Sequence, residues 1–176
     1  RGLHANNQPA AQGQQGQRCA LNIVGSDLAK DDVIRGDWII SPSGPGPVRR
    51  LDTRFRVLAS EKRPFKHWTP VHVHIGAAAV TGRIALLDAK TLAPGAHGLA
   101  QLYLEQAVGA CYGDRFIVRD QSARRTVGGG HVIDIYPPAR GRAKPPRIAT
   151  LLAMDNADPR AALAATNGGA SDGVDL

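Results

Sequence analysis

The sequence predicts an all-β protein made of antiparallel β-barrels, and three observations carry that prediction. Short segments with apolar residues at every second position recur along most of the chain, the period of a strand with one buried and one solvated face. The 20 glycines and 12 prolines among 176 residues place turns between these segments. Long helical patterns do not intervene, as an antiparallel barrel requires. Aromatic residues are only 5% of the chain, so the core falls to Val, Ile, Leu and Ala.

The elements follow in order. "QRCALNIVG" (17–25) and "DWIIS" (37–41) read as strands flanking a polar stretch, "SDLAKDDVIRG", with room for one helical turn. "SPSGPGPVRR" (41–50) reads as a linker, because Pro and Gly leave little for a core. "TRFRVLAS" (53–60) alternates Phe55 and Val57 against Arg54 and Arg56, and "PVHVHI" (70–75) alternates Val71, Val73 and Ile75 against His72 and His74. "TGRIALLD" (81–88), "GLAQLYLEQAV" (98–108), "DRFIVRD" (114–120) and "HVIDIY" (131–136) complete a second, full barrel. "PPARGRAKPP" (137–146) is a second linker, stiffened by proline and strongly basic. After it the period becomes helical, with Ile148, Leu151 and Leu152 on one face and a second helix expected beyond Asp158-Pro159 around Leu163.

Charge narrows the partner. The net charge is +7. Between Gly113 and Arg147 eight Lys/Arg stand against three Asp, an excess that suits a polyanion, nucleic acid before membrane, or else a solvated basic face. No apolar run approaches a membrane span. Cys19 and Cys111 are too few for a disulfide framework and are expected reduced, buried and cytosolic. The polar start at Arg1 is no signal peptide and reads as an internal start.

Catalytic signatures are missing. The chain has no G-x-x-x-x-G-K-[ST] loop, no Gly-Lys pair, no G-x-S-x-G, no H-E-x-x-H and no C-x-x-C. No catalytic residue and no metal ligand set is therefore expected. His72 and His74 share one strand face, but no third ligand accompanies them, so paired surface histidines are the favoured reading. Gly128-Gly129-Gly130 has no helix after it, which favours a bulge or a close backbone approach over a phosphate cradle.

Three ordered motifs carry a family resemblance. "RFIVRDQSARRTVGGGHVIDI" (115–135) resembles the last strand pair of domain III in elongation factor Tu and its relatives, with their pattern R-F-x-[IV]-R-[ED]…R-T-[IV]-G-x-G-x-V. "GQRCALNIVG…VIRGDWI" (16–39) resembles the end of their domain II, and "WTPVHVHIGAAAVTGRIALLD" (68–88) resembles the domain III segment ending in a V-T-G turn. Within those tRNA-carrying GTPases, "RGLHANNQPA", "PVHVHIGAAAVTGR" and "PPARGRAKPP" resemble the bacterial selenocysteine-specific elongation factors.

The resemblance implies a division of the chain: 1–46 as the end of an incomplete first barrel, 47–138 as a complete second barrel, 139–147 as a linker, and 148–176 as the start of a winged-helix domain. It implies a cytoplasmic protein. The intact factor would bind GTP and Mg in a domain outside this chain and carry selenocysteinyl-tRNA to the ribosome at UGA codons. Its winged helices would grip the selenocysteine insertion element of the mRNA. This chain would bind and position, with no cofactor or covalent catalysis of its own. Arg18 aligns with a selenocysteine-pocket arginine, whose fixed guanidinium would favour an ionised selenol over a neutral hydroxyl; a plain surface arginine is the equal alternative. Thr81, Arg119, Asp120 and Gln121 align with positions touching the tRNA T-stem, and Arg124 and Arg125 add cations to the same turn. "DQSAR" is longer than the glycine-rich turn of elongation factor Tu. Arg140, Arg142 and Lys144 would touch RNA backbone or simply space two domains. The competing readings are another tRNA-delivering GTPase relative and a non-translational barrel binding protein or sugar. Exposed strand edges in the incomplete barrel predict poor solubility of the isolated piece.

Overall fold

The computed structural model describes residues 2–138 and 140–155, which fall into two compact units, Arg1–Ile34 and Arg35–Leu176. The expected second helix around Leu163 lies outside the described residues.

The first unit is a three-stranded antiparallel sheet of β1 (Gly2–Ala5), β2 (Gln8–Pro9) and β3 (Cys19–Asn22), in the order β2-β1-β3. Asn6 and Asn7 join β1 to β2 with φ of 53° and 64°, the two left-handed residues of a tight hairpin that Asn tolerates. A single 3-10 turn, Lys30–Asp32, occupies the polar stretch where one helical turn was expected. Cys19 and Cys111 are free thiols, each half-buried rather than buried as expected.

In the second unit, six strands close an antiparallel barrel: β4 (Val48–Val57), β6 (Thr69–Ile75), β7 (Ala78–Leu86), β9 (His97–Val108), β10 (Arg115–Arg119) and β11 (Thr126–Asp134). The circuit runs β10-β11-β4-β9-β7-β6, and a two-stranded ribbon of β5 (Phe65–Lys66) and β8 (Thr91–Leu92) stands beside it. Alternation fixes which face is inside. Leu51, Phe55 and Val57 of β4 join Val71, Val73, Ile84, Leu102, Phe116 and Val118 in one buried cluster. Phe55 anchors it, edge-on to Phe65 at 5.0 Å and stacked with Phe116 at 6.5 Å. Burying such a side chain stabilises the fold by roughly 2–3 kcal/mol.

Three expectations about elements need correcting. Residues 37–41 form no strand; Trp38 instead lies flat against Gly109, where a Cβ would come within 2.6 Å of the indole. The linker read over 41–50 stops at Pro47, because β4 begins at Val48 and carries Arg49 and Arg50 into the sheet. Thr81 is no turn residue; the turn falls at Gly76 (φ 54°), and Thr81 sits inside β7. The compact unit thus reaches back to Arg35, with Gly36 (φ 111°) tight against Ala78.

One helix follows the barrel, α1 (Pro145–Met154), entered through Pro145 at its first position, where the missing N–H costs nothing. Leu151 is fully buried against Leu87, Leu99 and Ile133 on the outside of the barrel, with Ile148 and Met154 beside it. Leu152, expected on the same face, is 52% exposed. The helix thus begins inside the 139–147 stretch, which was expected to touch RNA backbone or to space two domains, and it packs on the barrel wall.

Candidate nucleic-acid interface

Strand register assembles a row of polar side chains on the outer face of β10, β6, β7 and β9. His72 of β6 is opposite Thr81 of β7 on one side and Arg119 of β10 on the other. Directly opposed residues hold their Cβ atoms about 5 Å apart, so the three side chains form one continuous strip. The Thr81 hydroxyl donates to the Glu105 carboxylate on β9, which extends the strip by one strand. The neighbours Val71, Val73, Val80 and Val118 point inward and are buried, which is why these four point out.

At the Arg119 end the strip meets the turn between β10 and β11. Asp120 organises that turn: one carboxylate oxygen accepts from the Ser122 hydroxyl and the Arg124 amide at 3.0 Å each, and from the Arg125 amide at 3.3 Å. The Asp120 amide donates to the Arg125 carbonyl at 2.9 Å, and Ala123 takes φ 54° to close the loop. Desolvation pushes the Asp120 carboxyl up, but the two amides, the hydroxyl and the Arg125 charge together hold it below the usual carboxylate range. His72 ties the turn to the strip through Nε2 and the Gln121 carbonyl, 3.2 Å apart.

The expected contact residues therefore divide by role. Asp120 spends its acceptors on its own turn. Arg125 is held by Glu61 and lies 3.8 Å from Asp120; the bond to Glu61, first of all, raises its pKa above the ordinary arginine value. Arg119 is half-buried and donates to the Arg124 carbonyl at 3.3 Å, while its Nε is buried without an acceptor. Gln121 and Arg124 are exposed at the tip. A cleft of about 420 Å³ opens beside the turn, lined by Arg63, Lys66, Thr69, Gln121 and Arg125 among others. A larger groove of about 1350 Å³ follows Gly128–Gly130 on another face, but it gathers none of the strip. The smaller cleft is the one continuous with the predicted contacts.

The remaining candidates are dispersed. Arg18 is exposed just before β3 in the first unit, with its carbonyl accepting from the Asn6 amide at 3.3 Å. Arg140 and Lys144 are exposed, whereas Arg142 donates to the Tyr103 hydroxyl at 2.7 Å and lies 5.3 Å over that ring. Among the described residues no group of three His, Cys, Asp or Glu could hold a metal ion, and no helix is long and apolar enough to cross a membrane. The sequence reading did not anticipate that His72 joins Thr81 to Arg119; alternation showed that His72 faces outward, but not which residues flank it.

Comparison with known proteins agrees with this architecture. The family model described as selenocysteine-specific elongation factor, beta-barrel domain, matches residues 52–139. Similar relatives are the selenocysteine-specific elongation factors of Escherichia coli (strain K12), 38% identical over 89% of this chain, and of Haemophilus influenzae, 32% identical over 92%. That of Desulfomicrobium baculatum is 33% identical over 76%. Aligned regions cover 24%, 26% and 21% of those proteins, so the chain spans about a quarter of their length.

Proposed function

The chain belongs to the selenocysteine-specific elongation factor family, and from that membership we propose that its barrel holds the stem of selenocysteinyl-tRNA during GTP-dependent delivery to the ribosome at UGA codons, in the cytoplasm. The observation that carries this reading is the Thr81–His72–Arg119 strip running into a turn tipped by Gln121 and Arg124. An A-form stem offers phosphates and 2′-hydroxyls across a shallow minor groove, and it is recognised by shape. A strip of hydroxyl, imidazole and guanidinium, with a cation at one end and the Glu105 carboxylate bounding the other, matches that chemistry over its central and turn-side part.

Asp120 and Arg125 serve this function indirectly, by fixing the loop that presents Arg124. Arg18 is the candidate for reading the aminoacyl end, its charge favouring a selenolate over a neutral hydroxyl. This reading assigns GTP and Mg to a domain outside this chain, since the chain's own sequence carries no G-x-x-x-x-G-K-[ST] loop. Nucleotide chemistry, and engagement of the mRNA insertion element, belong to parts of the protein outside this chain.

Filter binding of the chain to this tRNA tests the stem reading. Arg124→Glu should weaken binding and reduce the slope of log affinity against log salt by about 1. An unchanged slope would remove the turn from the interface. In the intact factor, Arg18→Ala should erase preference for selenocysteinyl- over seryl-tRNA if Arg18 reads the selenol.

A further inference from the structure

One register row from the strip, on the same outer face, the barrel carries a ladder of cations and aromatic rings. Pro70, Arg83 and Tyr103 are opposite one another on β6, β7 and β9, and Arg50 of β4 is opposite Tyr103. Trp68 enters β6 with φ 67°, a left-handed conformation that is a genuine outlier for so bulky a residue. One backbone bond and one side-chain bond hold it there: its amide donates to the Ile84 carbonyl at 2.7 Å, and its carbonyl accepts from Arg83 Nη1 at 3.2 Å. The indole meets the Tyr103 ring edge-on at 5.1 Å and stacks with the His67 ring at 6.2 Å; Arg83 lies 6.0 Å from its centre, and Arg142 lies 5.3 Å over the Tyr103 ring. Despite these neighbours Trp68 remains 40% exposed.

A tryptophan whose purpose was packing would point into the barrel. This one is held outward by a costly backbone, in a ladder whose charged members are all cations: Arg50, Arg83 and Arg142. The part of the indole that His67 leaves exposed, flanked by positive charge, is complementary to a nucleobase and its flanking phosphates, because every base has a stackable face and the cations neutralise the backbone. Trp68 is four residues from His72 along the chain, about 13 Å at strand rise.

We propose that Trp68 is a stacking platform for an unpaired RNA base, adjoining the stem that lies on the Thr81–His72–Arg119 strip, with Arg83 and Arg142 neutralising the neighbouring phosphates. The proposal rests on the stem-binding reading and adds a single-stranded element to it.

The test uses the 176-residue chain carrying Trp38→Phe, which leaves Trp68 as its sole indole. It is titrated with an RNA duplex bearing a short unpaired overhang and with the same duplex blunt-ended. The overhang duplex should quench Trp68 fluorescence and bind at least about five-fold tighter than the blunt one. Trp68→Leu should abolish that preference while blunt-duplex binding persists, and Trp68→Phe, which keeps a ring in place, should retain part of it. Equal affinity for the two duplexes without quenching overturns the platform, even where Arg124→Glu weakens both and the stem reading stands. Failure of both duplexes to bind removes the stem reading and the platform with it. Quenching by an acidic peptide, where neither RNA quenches, would assign the surface to a protein partner and also overturn the proposal.

Discussion

Asp52 is fully buried on the outer face of β4, with one carboxylate oxygen 2.6 Å from Gln101 Nε2 and the other 2.6 Å from Arg147 Nη2. The same Arg147 nitrogen reaches Asp134 at 2.5 Å. Burial pushes the Asp52 carboxyl above its ordinary value, against the opposing pull of Arg147 and Gln101. Burial opposes the charge on Arg147, yet its bonds to the two aspartates raise it above the ordinary value. Removing one partner of such a group leaves an uncompensated buried charge. Arg147→Met should therefore cost about 3 kcal/mol in urea unfolding, and adding Asp52→Asn should restore most of it. Asp155 behaves differently. Burial raises its pKa, but bonds to His131 and Arg54 outweigh that and hold it below its ordinary value. Its stabilising contribution is thus complete above the unfolded value and lost as pH falls through the lower folded one. Amide protection at the C-terminal turn of α1, the exchange rate relative to the intrinsic rate at each pH, should be constant from neutrality down to about pH 5 and fall below about pH 4. Asp52 has the opposite sign, since protonation relieves its penalty, so acid should loosen α1 from the Asp155 end.

Among the elements, β11 is the most tightly constrained. Gly130 leaves no room for a side chain: a Cβ would fall 1.8 Å from the Arg54 carbonyl, and one on Gly128 would fall 2.4 Å from that of Arg56. Those are backbone atoms of the paired strand, so the β4–β11 ladder itself would have to move. Gly130→Ala should destabilise the barrel by about 3 kcal/mol in thermal or urea melts, against a negligible change for Gly46→Ala, which meets nothing within 4 Å. The close approach was legible in the triple glycine, and alternation located β4, β6, β9 and β10. Pairing of β6 with β10 was not legible, because register between strands distant in sequence leaves no local trace. The site strip depends on that pairing. Docking of α1 was hidden for a related reason: Arg147 reads as one more cation of a basic stretch until Asp52 and Asp134 arrive from two other strands.

On the scale of the whole molecule the two units differ in how much they bury. Among the described residues before Arg35 only Ala5 is buried, while Leu21, Ile23, Val24 and Ile34 are exposed. The second unit has a closed barrel with a continuous core. A chain limited to residues 35–155 should accordingly melt cooperatively and stay monomeric by size-exclusion chromatography. The full 176 residues should self-associate through the open edge of β3 as concentration rises. A monomeric full chain would show that this edge is protected. The barrel was foreseeable from composition and period; the boundary at Arg35 was not, because it depends on Trp38 finding Gly109 and Gly36 fitting against Ala78. Fastening α1 at both ends has a mechanical consequence. Arg147 ties the start of the helix to β4 and β11, and Asp155 ties its end to Arg54 and His131 on the same two strands, so a swivel about either end must break an ion pair. Torque applied to the chain beyond Asp155 is delivered to β4 and β11 as to a rigid crank.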